Sequence, residues 1–78
     1  MDWRRLQSFK KISIFKSFTN ASKELKKSQS TLSRDIISLE QMIGYRVFER
    51  NIRGIELTEK GSELLSVIKD FDMKLEKF

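Results

Sequence analysis

The chain has 78 residues, a formal net charge of +5, and neither cysteine nor histidine. Those absences exclude disulfides, thiolate metal sites and imidazole-based acid–base chemistry, and the carboxylates are scattered rather than clustered, so no metal, cofactor or enzymatic activity is expected. A chain this short has room for one domain, which buries only about 60% of its unfolded surface, so a partner subunit would add to a thin core.

Trp3, Leu6, Phe9, Ile12 and Phe15 recur every third residue with Arg and Lys among them, which predicts an amphipathic helix over roughly 2–16. Thr19 stands before Asn20-Ala21-Ser22 as the cap of a shorter second helix, whose apolar face is Ala21 and Leu25 and which runs out at Lys26-Lys27. Ser28 caps a third helix, where Leu32, Ile36, Leu39 and Ile43 form one stripe at spacings of four, three and four. Gly44 follows where a helix commonly ends in a left-handed residue. Val47-Phe48-Glu49 and Ile55-Glu56-Leu57 read as short strands joined by a turn at Arg50-Asn51-Ile52-Arg53-Gly54. Thr58 caps the last helix, and Glu59 suits its positive end.

In that last helix Leu64, Ile68, Phe71, Leu75 and Phe78 make a heptad-like seam. It can pack on its own domain or against a second helix. A 20-residue helix is about 30 Å long and overhangs a core this small, and Phe78 would be bare in a monomer, so a partner helix is favoured.

The fold expected is mainly α: a winged helix-turn-helix over residues 1–57, of three helices and a two-stranded wing, followed by a linker or dimerisation helix over 58–78. Residues 1–57 hold twelve Lys/Arg and six Asp/Glu, a net of +6, and residues 58–78 hold four Lys and five Asp/Glu, a net of −1. A basic body with a near-neutral tail fits a polyanion partner for the body. No apolar run approaches the ~20 residues of a membrane span. The charges at Asp2, Arg4 and Arg5 are not followed by a signal-like apolar stretch, and the cytoplasm is the expected compartment.

The third helix opens with Gln29, Ser30, Thr31, Ser33 and Arg34 off its apolar stripe. Gln can bond adenine through two hydrogen bonds, Arg can fork onto guanine, and Ser or Thr can serve a base or a phosphate. The spacing of several blocks resembles one family. Ser17-Phe18-Thr19-Asn20-Ala21-Ser22-Lys23-Glu24-Leu25 resembles the SFTxAAxxL opening of LysR-type transcriptional regulators. Ser28-Gln29-Ser30-Thr31-Leu32-Ser33-Arg34-Asp35-Ile36, with Leu39-Glu40 after it, is similar to their SQPALSRQIxxLE block. Gly44 to Arg50 resembles GxxLFER, and Leu57-Thr58-Glu59-Lys60-Gly61 resembles LTEAG. Ser30 departs from the family's proline, Asp35 from its Gln, Lys16 from a common glycine, Ser22 from an alanine, and Lys27 from an apolar residue.

The resemblance implies a sequence-specific regulator that binds double-stranded DNA with inverted half-sites as a homodimer. It implies that Gln29, Ser30, Ser33 and Arg34 approach bases, and that Thr19, Ser28, Thr31, Arg50 and Arg53 serve phosphates or the minor groove. Ser28 can instead be a pure cap, Thr31 and Ser33 an idle solvent face, and Arg50 a partner of Glu49 or Glu56. Trp3, Phe9, Phe18 and Phe48 read as core rather than as stacking platforms. The family's last helix pairs antiparallel with its copy and leads to an effector-binding domain absent from these residues, so no small-molecule effector is expected on this chain. The alternative is an interaction module that forms mixed dimers with a full-length regulator.

Overall fold

A computed structural model describes residues 3–78; the helix start expected at Asp2 lies outside the described residues. The element order is α1 (Trp3–Phe15), α2 (Phe18–Leu25), α3 (Gln29–Ile43), β1 (Phe48–Asn51), β2 (Gly54–Leu57) and α4 (Glu59–Glu76). This is a winged helix-turn-helix with a long final helix, as the patterning implied. One core joins the elements: Phe9 and Ile12 of α1, Ala21 of α2, Leu32, Ile36 and Leu39 of α3, Val47, Phe48 and Ile55 of the wing region, and Ile68 of α4.

α1 ends at Lys16, whose φ of 57° is left-handed, a conformation that costs a residue with a Cβ about 1–2 kcal/mol. The corner explains why glycine suits this position. The Lys16 carbonyl accepts the Ile55 N–H at 3.1 Å, which fastens the wing to the α1–α2 corner. The cap of α2 is Ser17 rather than the expected Thr19: Ser17 is extended, with φ −159° and ψ 147°, and its hydroxyl accepts the Asn20 N–H at 3.0 Å. Both residues carry hydroxyls, but the one beside the left-handed corner has the extended backbone that a cap requires. Thr19 sits exposed in the first turn of α2.

Between α2 and α3 the chain turns through Lys26, again left-handed with φ 56°. The Ser22 hydroxyl donates to the Lys27 carbonyl, and the Lys27 N–H returns to the Ser22 carbonyl at 3.2 Å. A serine in place of alanine thereby closes the turn. Ser28 caps α3 by accepting the Thr31 N–H at 3.1 Å, and Gly44 ends it with φ 84°. The Glu40 carboxylate then accepts the Val47 N–H at 2.8 Å and lies 3.6 Å from Arg46 Nε, which ties the end of α3 to the start of the wing.

β1 begins one residue and ends two residues later than the apolar pattern suggests, and β2 begins one residue earlier and ends at Leu57 as expected. They pair antiparallel as Phe48↔Leu57, Glu49↔Glu56, Arg50↔Ile55 and Asn51↔Gly54, so the turn is Ile52-Arg53 alone rather than five residues. The Asn51 side-chain oxygen accepts the Arg53 N–H at 2.9 Å and closes the turn locally. Gly54 adopts φ +133°, and a Cβ there would stand 2.5 Å from the Lys16 carbonyl oxygen. Only glycine lets the wing approach that corner.

α4 is anchored at its first turn. Thr58 accepts the Gly61 N–H at 2.9 Å, donates its hydroxyl proton to the Arg46 carbonyl at 2.6 Å, and gives its N–H to the Val47 carbonyl at 3.0 Å. Ile68 is only 3% exposed and belongs to the protomer's own core, with Leu64 and Leu65 packed partly against it. This corrects the expected seam, because the Ile68 side chain is not available to a partner helix. The apolar residues left uncovered are Val67, Phe71, Met73 and Leu75 on α4 and Phe78 just beyond its end. α1 supports the helix through Lys10 Nζ, 2.6 Å from Asp72, through Gln7 Nε2 at 3.2 Å from the same carboxylate, and through an edge contact between the rings of Trp3 and Phe71 at 5.1 Å. The Lys10 ammonium, above all, holds the Asp72 carboxyl below its ordinary value.

Candidate nucleic-acid interface

α3 turns its apolar stripe inward and its first turns outward. Gln29, Ser30, Thr31 and Arg34 are exposed and Ser33 is half-buried. Among the described residues the guanidinium of Arg34 makes no hydrogen bond or ion pair with the protein, and Asp35 does not orient it. A charged five-donor group held at the start of a helix with no protein partner is available to an acceptor outside the chain.

The hydroxyls at this end are not equivalent. Ser28 accepts the Thr31 N–H at 3.1 Å, and the two hydroxyls share a hydrogen bond at 2.8 Å. The Ser28 side chain thus acts as the cap of α3. Thr19 is exposed in the first turn of α2, where backbone N–H groups and the helix dipole suit an anion.

Arg50 and Arg53 differ in the same way. Arg53 occupies the wing tip, exposed, its backbone fixed by Asn51, with no side-chain partner among the described residues. Arg50 does not pair with Glu49 or Glu56. Strand alternation places it on the inner side of β1, opposite Ile55. There its Nη2 donates to Ser33 Oγ at 2.6 Å, and its guanidinium lies 4.6 Å from the centre of the Phe18 ring. Phe18, expected in the core, is half-buried and also carries a cation on its outer face. The three elements that meet here are α2, α3 and the wing. Their residues stand at least fifteen positions apart in the chain, which is why no local pattern exposes the contact.

Among the described residues no group of three or more carboxylates could hold a metal ion, and no helix is long and apolar enough to cross a membrane.

Comparison with known proteins gives one consistent result. Residues 3–62 match the model of the bacterial regulatory helix-turn-helix proteins, lysR family. The chain is 38% identical over 65 residues to a carbapenem-hydrolyzing beta-lactamase transcriptional activator of Enterobacter cloacae, spanning 83% of this chain and 22% of that protein. It is 43% identical over 61 residues to the HTH-type transcriptional regulator BudR of Klebsiella aerogenes, spanning 78% of this chain and 43% of that protein. The chain thus spans less than half the length of these relatives. Among solved structures it resembles the CbnR_DBD–DNA complex, with a TM-score of 0.87 and 30% identity over 99% of this chain and 88% of that one. The BenM_DBD/catB site 1 DNA complex is similar, with a TM-score of 0.87 and 28% identity over 99% of this chain and 86% of that one. The chain belongs to the lysR family of bacterial regulatory helix-turn-helix proteins.

Proposed function

We propose that this chain is a sequence-specific, double-stranded-DNA-binding transcriptional regulator, not an enzyme, with α3 in the major groove and the wing on the backbone or minor groove. The observation that carries the proposal is the outward face of α3, where Gln29 and Arg34 stand exposed at the N-terminal end and Arg34 has no protein partner among the described residues. A recognition helix meets base edges at that end. Gln29, Ser30, Ser33 and Arg34 approach bases in this reading. Thr19, Thr31, Arg50 and Arg53 serve the backbone or minor groove, and Ser28 contributes as the cap. Two solved relatives are themselves DNA complexes of DNA-binding domains, which supports the same docking here.

The uncovered residues Val67, Phe71 and Leu75 of α4 and Phe78 just beyond it, with Leu64 beside them, fit a second copy of the chain. Two copies related by a two-fold axis would present their α3 helices to inverted half-sites about one helical turn, or a multiple of it, apart. The cytoplasm is the compartment in which such a regulator meets its DNA.

The test is selection from a pool of randomised duplexes, followed by titration of the enriched duplex at several salt concentrations. Enrichment of an inverted repeat, with affinity falling steeply as salt rises, is expected. Failure to retain any duplex at low salt would contradict the proposal.

A further inference from the structure

The family resemblance implies a DNA contact for each of Ser33 and Arg50, yet the structure joins them to each other. We propose that Arg50 is a positioning residue for sequence reading: by donating to Ser33 it fixes that hydroxyl as a donor toward the DNA, and so restricts Ser33 to base edges that present an acceptor. The inference rests on the DNA-binding reading above and deepens it at one residue.

The chemistry follows from the inventory of groups. A serine hydroxyl has one proton and two lone pairs, and its proton normally rotates to suit its surroundings. It can therefore serve a base-edge donor, such as the cytosine amino group, or a base-edge acceptor, such as guanine N7 or O6. Arg50 Nη2, at 2.6 Å from Ser33 Oγ, removes that freedom. One lone pair is taken by a charged donor, and the neighbouring positive charge disfavours a second donor approaching the same oxygen. What remains favourable is for Ser33 to give its proton outward, to an acceptor.

The arginine can do this only if it is held in place, and the core holds it. The rings of Phe9 and Phe48 lie 5.2 Å apart, those of Phe48 and Phe18 lie 6.4 Å apart, and the Arg50 guanidinium sits 4.6 Å from the centre of the Phe18 ring. Phe9 and Phe48 are buried. A column of aromatic groups thus runs from the domain centre to the guanidinium and ends on the first exposed turns of α3. The guanidinium lies over the ring while its Nη2 donates, a combination lysine does not reproduce.

The experiment uses the full chain, the duplex enriched by the wild type, and a four-member cycle of wild type, Arg50→Lys, Ser33→Ala and the double variant. Affinities are measured for all four base pairs at each position of the half-site. Ser33→Ala is expected to lower discrimination at one base pair, by about tenfold. Arg50→Lys keeps the charge, so its salt dependence is expected to stay near the wild type's while discrimination at that same base pair collapses. In the Ser33→Ala background, Arg50→Lys is expected to have no further effect on discrimination, because its route through Ser33 is gone. Circular dichroism confirms that each variant is folded, and Arg50→Gln replaces Arg50→Lys should the latter unfold.

Three results overturn the proposal. Ser33→Ala could leave discrimination intact everywhere. Arg50→Lys could leave it intact at the Ser33 position. The two substitutions could also act independently, with Arg50→Lys changing discrimination equally in both backgrounds. A wild-type chain that retains no duplex would instead remove the DNA-binding reading itself, which is a distinguishable outcome.

Discussion

Replacing Gly61 with alanine sets helix propensity against packing, and the two disagree in sign. Gly61 lies in the first turn of α4 and is buried. On propensity alone, alanine stabilises a helix interior by about 1 kcal/mol relative to glycine. In this fold, however, a Cβ at position 61 would lie 2.2 Å from the Val47 carbonyl oxygen and 2.9 Å from its carbon, where ordinary contact begins at 3.4 Å. The difference between 3.4 and 2.2 Å requires a relative shift of about 1.2 Å between α4 and the backbone at Val47. That backbone is held by Thr58 N–H on the Val47 carbonyl, Thr58 Oγ1 on the Arg46 carbonyl and Glu40 on the Val47 N–H. Overpacking costs about 1–3 kcal/mol, and loss of one such hydrogen bond adds about 1 kcal/mol. Against the propensity gain, the net expectation is a destabilisation of about 2 kcal/mol. For a domain of this size that lowers the melting temperature by roughly 8–16 °C. Thermal unfolding followed by circular dichroism measures it. An unchanged or raised melting temperature for Gly61→Ala would refute the close approach of α4 to Val47.

Two further perturbations separate neighbouring residues or protonation states. Ser17→Ala removes the cap of α2 and should cost about 1 kcal/mol, whereas Thr19→Ala should cost little; urea melts showing the reverse order would return the cap to Thr19. The Asp72 carboxyl is held below its ordinary value of 3.8, first by Lys10 and also by Gln7. A depressed folded value means that the carboxylate's contribution to stability is present in full above the unfolded value and is lost as pH falls through the folded one. The stability difference between the wild type and Asp72→Asn should therefore be constant near neutrality and shrink below pH 3.8; a difference that persists unchanged into strong acid would show that Lys10 does not stabilise the charged form.

The readable parts of this sequence are those whose chemistry is local. Ser28, Gly44 and Thr58 mark helix ends because a cap is a bond between near neighbours, and each acts as its residue type suggests. The buried stripe of α3 is equally plain, since its spacing admits one face. Ser17 and Thr19 are two hydroxyls two residues apart, and choosing between them required the left-handed corner at Lys16. In α4, Val67 and Ile68 are adjacent apolar residues about 100° apart around the helix. A stripe of two heptads is compatible with either, and packing within the domain core draws Ile68 inward while Val67 stays exposed. The wing is longer than its apolar pattern because Arg50 and Asn51 pair through backbone hydrogen bonds, which carry no hydropathy signal. The Phe18–Arg50–Ser33 cluster was least visible, since it joins three elements across the fold.

The central claim is that α3 reads base identity while the wing supplies position and charge. The most direct measurement compares Arg34→Ala with Arg53→Ala for affinity toward the enriched duplex and a scrambled duplex, at several salt concentrations. Arg34→Ala should lower the ratio of specific to scrambled affinity by about tenfold to a hundredfold, whereas Arg53→Ala should weaken both affinities alike and reduce the salt slope by about one. An Arg34→Ala chain that retains both its affinity and its preference between the two duplexes would contradict the assignment of α3 as the reading helix.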